Sequence, residues 1–133
     1  MRIDILLGGR KDIETMRRMD PGALAVVLAL LQEAEADPKV IDKFTTHGDV
    51  QLGNNRINVK GWVEARRTDN LFRIRILDTS ATSYRVVYGY DWRRRRIGIL
   101  GIVHKDNFDY GITSTLANRI LNDWRIATGD KNT

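Results

Sequence analysis

The chain has 133 residues, of which 42% are hydrophobic, so its length and composition predict one globular domain with a single buried core. It contains no cysteine, which excludes disulfides, thiolate nucleophiles and cysteine-based zinc sites. The net charge is +5, but residues 56–105 hold twelve Lys and Arg against four Asp and Glu, a local excess of +8 that is typical of a surface for a polyanion.

The first third of the chain is predicted to form a short strand followed by helices. Asp20-Pro21 and Asp37-Pro38 are typical helix starts, because Asp caps the first turn and Pro is tolerated within it. The predicted elements are a strand over Ile3–Leu7, a helix over Arg10–Met19, a helix from Asp20 to about Ala36 and a short helix ending near Phe44.

Two features of this region predict where the protein acts. The N-terminal Met1–Asp4 lacks the order of charged, apolar and small residues that defines a signal peptide. The longest apolar run, Ala23–Leu31, has nine residues, whereas a membrane span needs about 20. We therefore expect a cytoplasmic protein with no membrane partner.

Residues 47–61 are rich in glycine and asparagine and are predicted to form a loop or a small hairpin inserted before the sheet. In the hairpin interpretation, Val50–Leu52 pairs with Ile57–Val59 around the turn residues Gly53–Asn55. The insertion does not interrupt the single domain, which we predict to span residues 1–127, with a flexible tail over 128–133.

The second half is predicted to form a three-stranded antiparallel meander and a closing helix. Two segments alternate with a period of two, Phe72–Leu77 and Tyr84–Tyr90, and a third apolar strand ends at Val103. Apolar residues at helical spacing then predict a helix from Tyr110 or Gly111 to Ile126. The fold class is therefore α+β, with a short N-terminal strand, two to three helices, the meander and a C-terminal helix on the sheet.

Three arginines of the meander are candidates for binding phosphate. Arg73 and Arg75 are two residues apart on one strand, so their side chains leave from the same face, roughly 7 Å apart. Arg85, on the next strand, joins that surface if the register places it opposite. Arginine binds phosphate in a two-pronged manner. The alternative is that these charges only keep the sheet soluble.

The end of the third strand carries residue types suited to acid–base chemistry. His104 and Lys105 follow the strand, and Tyr110 opens the last helix. The alternative for His104 is a structural role.

The run Arg93–Arg96 is predicted to be a solvated turn that assists electrostatic steering, with direct RNA contact as the alternative. With two separated histidines and no nucleotide-binding motif, we expect no metal and no cofactor.

Residues 62–126 resemble the RelE/ParE superfamily of toxins from type II toxin–antitoxin modules, on the RelE/HigB-like branch. The resemblance rests on four segments: Phe72–Leu77, Ser83–Tyr88, Val103–Lys105 and Phe108–Tyr110. It implies a RelE-like fold, a cognate antitoxin as partner, and a metal-independent endoribonuclease that cuts messenger RNA in the ribosome and inhibits translation.

The resemblance also implies roles for individual residues. Arg73, Arg75, Arg85 and Lys105 would bind the RNA phosphate, with Arg85 and Lys105 also acting in catalysis. His104 would transfer the proton with support from Lys105 and Tyr110, since arginine stays protonated. Two other functions stay open: a ParE-like toxin that binds DNA gyrase without nuclease activity, and a non-toxic protein of the same fold from a phage or mobile element.

Overall fold

The fold was analysed in a computed structural model, which describes residues 2–62, 70–107 and 114–129. Six strands form one sheet: β1 (Arg2–Ile5), β2 (Gly48–Leu52), β3 (Asn55–Gly61), β4 (Leu71–Ile76), β5 (Tyr84–Asp91) and β6 (Arg96–His104). The α-helices of the described residues are α1 (Leu7–Met19), α2 (Pro21–Ala36), α3 (Val40–Thr45) and α4 (Thr115–Thr128), and a 3₁₀ turn spans Lys105–Asn107. The α+β class and the order of elements are confirmed.

The sheet has the strand order β1-β6-β5-β4-β3-β2. The predicted meander corresponds to β4, β5 and β6, which pair in antiparallel fashion. The N-terminal strand β1 pairs in parallel with β6, with Ile3 opposite Ile97. This pairing brings β1 beside residues more than ninety positions later in the chain, which a local sequence pattern does not predict.

The glycine-rich residues 47–61 form the hairpin of β2 and β3. Gly53 opens the two-residue turn with φ +58°, a conformation that glycine adopts without strain. Val59 lies opposite Ile74 of β4, so the hairpin extends the meander to five strands. Ile57 and Val59 are buried, which makes the hairpin part of the core.

The two faces of the sheet carry separate cores. Ile74, Val86 and Tyr88 face α1, α2 and α3 in the larger core. Val87 and Leu100 face α4 in the smaller one. The register Ile74↔Val86 and Arg73↔Val87 therefore assigns alternate residues of β4 and β5 to opposite faces, which we call the α1–α3 face and the α4 face.

Asp20 ties the helices to the sheet. Its side chain accepts a hydrogen bond from Ala23 N at 3.3 Å and caps α2, with Pro21 in the first turn, as the sequence predicts. Its other oxygen accepts from the hydroxyl of Tyr84 on β5 at 3.0 Å. Deeper in the same core, the hydroxyl of Tyr88 donates to Phe44 O, and burial raises the pKa of Tyr88 well above its ordinary value.

Candidate nucleic-acid interface

Three arginines lie side by side on the α4 face of the sheet. Arg73 is opposite Val87, and the same register, continued by two residues, sets Arg75 beside Arg85. We call Arg73, Arg75 and Arg85 the arginine face. Helix α4 covers Leu71 and Val87 of this side of the sheet, and the arginines extend the surface beyond the helix. All three are half-buried.

Strand β3 widens the arginine face and orients one of its side chains. Lys60 lies opposite Arg73, and Asn58 lies opposite Arg75. Arg73 donates to Asn58 Oδ1 at 3.2 Å, and Asn58 Nδ2 donates to Asp49 Oδ1 at 2.9 Å. Because the direct partner of Arg73 is a neutral amide, the guanidinium is held in place without being neutralised.

Two donors of the arginine face have no partner in the described part of the chain. The Nε atoms of Arg73 and Arg75 are buried and make no hydrogen bond. A buried donor without a partner costs about 1 to 3 kcal/mol, and buried polar groups are almost always hydrogen-bonded. A phosphate bound at this face would pair with the charges of the two half-buried guanidinium groups.

Arg85 is the second residue of β5 and lies next to the β4–β5 turn. It donates to Thr82 O at 3.0 Å and to Tyr84 O at 3.3 Å. These backbone contacts orient the guanidinium at the edge of the arginine face. The three arginines predicted to share one face therefore do so.

A β-bulge in β6 turns His104 away from the arginines. Val87 pairs with Gly101, but the next residue, Tyr88, pairs with Ile99, so Leu100 is an extra residue in β6. Regular alternation through this point would put His104 on the α4 face. The extra residue reverses the alternation, and His104 instead stands on the α1–α3 face.

The contacts of His104 agree with this placement. Its ring makes an edge contact with Tyr84, with centroids 5.3 Å apart, and its Nδ1 accepts from Asp106 N at 3.2 Å. The expected convergence of His104 with the three arginines does not occur. The physical reason is the bulge in β6, which reverses the alternation of side chains and which no pattern in the sequence predicts.

The two remaining predicted site residues have different positions. Lys105 is exposed, and its N–H donates to Ser83 O at 2.7 Å, so it continues the β5–β6 pairing one step past His104. Tyr110 lies outside the described residues.

Among residues 2–62, 70–107 and 114–129, no three His, Asp or Glu side chains are close enough to hold a metal ion. None of the described helices is long and apolar enough to cross a membrane.

The arginine run of the β5–β6 turn divides into two kinds of residue. Arg94 donates to Asp91 Oδ2 at 2.9 Å and to Thr128 O, and Arg96 donates to Ala127 O. These two arginines bind the last carbonyls of α4, which the helix leaves unsatisfied. Arg93 and Arg95 remain exposed. Arg94 is also exposed, so the expectation of a solvated run is wrong only for Arg96, which is partly buried against α4.

Asp91 makes the stability of this turn dependent on pH. Burial alone would raise the pKa of Asp91, but hydrogen bonds from Arg94 and the charges of Arg94 and Arg96 outweigh it, so the pKa is lowered from 3.8. The stabilisation that Asp91 contributes is complete above pH 3.8 and is lost as the pH falls through the lower folded-state pKa.

We expect Asp91→Asn to lower the free energy of unfolding by about 1.5 to 3 kcal/mol at neutral pH. In thermal unfolding below about pH 4, the variant should lose less stability than the parent, and parallel profiles would contradict this.

Comparisons with known proteins give one structural likeness. No family model matches the chain, and no curated protein matches it. The structure is similar to that of a YoeB/ParE toxin from Agrobacterium tumefaciens, at 19% sequence identity and a TM-score of 0.46, covering 78% of this chain and 98% of that one. A likeness this distant assigns no family, and the interface rests on its own geometry.

Proposed function

We propose that this protein is the toxin of a type II toxin–antitoxin module, and that it binds messenger RNA across the arginine face and cleaves it on the ribosome without a metal. One observation carries the proposal. Arg73, Arg75 and Arg85 share one face of two paired strands, and the Nε donors of Arg73 and Arg75 have no hydrogen-bond partner among the described residues. Guanidinium groups with this spacing fit the phosphates of an RNA strand.

The cleavage that this face would support is an internal transfer within RNA. The ribose 2′-hydroxyl attacks the adjacent phosphorus, the new 2′-O–P bond forms, and the bond from phosphorus to the 5′-oxygen breaks. One proton leaves the 2′-hydroxyl and one reaches the departing 5′-oxygen, giving a 2′,3′-cyclic phosphate and a 5′-hydroxyl. The arginines would hold the phosphate and offset the charge that grows on it.

Proton transfer falls to other residues than first expected. Arginine stays protonated and cannot act as the base. The bulge sets His104 on the opposite face, so we assign it a structural role beside Tyr84. Lys105, one step further along, is our candidate for donating the proton to the 5′-oxygen. Tyr110, outside the described residues, stays a prediction for the second proton transfer.

The arginine face also suits a protein partner that would silence it. An acidic or amphipathic segment that folds as it binds would cover the arginine face and block RNA. We propose that such a segment belongs to the cognate antitoxin and that both proteins act in the cytoplasm.

Inducible expression in bacteria without a partner protein tests this function. We expect growth arrest together with new transcript ends that fall in frame with codons, because the ribosome presents the message. His104→Asn should leave both effects in place. Normal growth would instead support the non-toxic binding protein.

A ParE-like gyrase toxin is the second candidate, and the position of His104 favours it. Without an imidazole, the described part of the arginine face is built for binding rather than for proton transfer. A supercoiling assay with purified gyrase separates the two functions. Inhibition of gyrase with no new transcript ends would replace the ribonuclease with this alternative.

A further inference from the structure

The β5–β6 turn presents the one exposed tryptophan of the chain. Trp92 is 62% exposed, whereas Trp62 and Trp124 are 2% and 4% exposed. The guanidinium of Arg93 lies 5.3 Å from the centre of the Trp92 ring. Arg95 completes the exposed group with φ +50°, a left-handed conformation that turns the chain back into β6.

Hydrogen bonds and ion pairs hold the β5–β6 turn against the rest of the fold. Asp91 is buried and accepts from the side chain of Arg94, and Arg96 forms ion pairs with Asp4 at 3.3 Å and with Asp91 at 3.5 Å. These contacts join the turn to β1 and to the end of α4. The exposed residues therefore stand on a fixed base, which lowers the entropy cost of binding through them.

We propose that Trp92, Arg93 and Arg95 form a second RNA contact, separate from the arginine face. An unpaired base would stack on the indole, with Arg93 on the ring and Arg95 beside it binding the flanking phosphates. Stacking of bases on aromatic rings, supported by arginine, is the usual way to hold a single strand without reading its sequence. The charge of the group favours RNA over an apolar protein partner.

Distance separates this contact from the arginine face. Five residues of β5 lie between Arg85 and Asp91, and the six steps that join them span about 20 Å along a strand. One phosphate therefore cannot contact both places. The turn would hold a different part of the RNA, and it can be tested whether or not the arginine face cleaves anything.

Tryptophan fluorescence of the full chain tests the contact. A short oligoadenylate should quench the emission of the exposed indole. Trp92→Leu should remove this quenching and weaken binding about tenfold.

The salt dependence of binding tests the two arginines. Arg93→Gln with Arg95→Gly should reduce the slope of log affinity against log salt by about 1.4, or about 0.7 for each lost phosphate contact. Glycine is suited to the left-handed position, so the turn keeps its shape.

Two control variants and two control ligands decide the interpretation. Lys11→Gln with Arg18→Gln removes the same charge from the exposed side of α1 and should leave the quenching intact. Arg73→Gln with Arg75→Gln should weaken overall binding yet keep the quenching at saturating RNA, so failure of the arginine face is distinguishable. The proposal is overturned if base-free polyphosphate quenches as strongly as oligoadenylate, if only anionic lipid vesicles quench, or if Trp92→Leu binds RNA like the parent.

Discussion

Replacing Arg73 and Arg75 together by glutamine lowers the affinity for single-stranded RNA by about 100-fold or more and abolishes growth arrest. Each arginine is half-buried and offers its charged guanidinium end to phosphate. Charge-assisted hydrogen bonds contribute about 1.5 to 3 kcal/mol each, so the pair contributes about 3 to 6 kcal/mol. Binding is measured at a fixed salt concentration, because salt alone changes such affinities strongly.

Two companion variants show whether geometry or charge is responsible. Arg85→Lys keeps the positive charge but loses the two-pronged contact, and we expect a smaller loss of affinity than for Arg85→Gln. The double variant Lys11→Gln and Arg18→Gln removes two charges from α1, away from the arginine face. If this α1 variant loses as much affinity as the arginine variant, net charge explains the binding and the arginine face has no special role.

Trp124→Ala is expected to destabilise the fold by about 3 to 5 kcal/mol, the usual cost of truncating a buried large aromatic residue. Trp124 is 4% exposed and joins α4 to the sheet. Its indole packs against Gly89 and Gly98, a pair of opposed glycines on β5 and β6. A Cβ at these positions would come within 2.6 Å and 2.8 Å of the ring.

The glycine pair provides an internal check on this packing. Gly89→Ala should cost about 1 to 3 kcal/mol, since the new methyl group overlaps the indole. Adding Gly89→Ala to Trp124→Ala should cost much less than the separate effects together, because the overlap is gone. Ile126→Ala, on the same helix but 72% exposed, serves as the control and should stay within about 0.5 kcal/mol. Unfolding midpoints in urea measure all four variants, and additive costs would refute the packing.

The β2–β3 hairpin shows what residue composition can and cannot predict. Glycine and asparagine marked a turn at residues 53–55, and the structure places the turn there. Whether the flanking segments joined the sheet depended on partners elsewhere in the chain. Val59 pairs with Ile74, fifteen residues later, and this pairing of β3 with β4 joins the hairpin to the sheet.

The arginine run shows the same limit at the level of side chains. Arg93 to Arg96 are equivalent in the sequence, yet Arg94 and Arg96 bind the end of α4 while Arg93 and Arg95 face solvent. The difference arises because the C-terminus of α4, more than thirty residues along the chain from Arg94, ends beside this turn. A chemically uniform segment thus acquires two roles from its neighbours.

The sequence by itself determined the order of helices and strands, the start of α2 at Asp20-Pro21, and the shared face of Arg73 and Arg75. Each of these follows from local geometry, in which caps, turns and a period of two act within a few residues. Only the tertiary structure decided that β1 pairs with β6 and that His104 leaves the arginine face. Pairing between distant strands sets both, because one extra residue at Leu100 reverses every side chain that follows it.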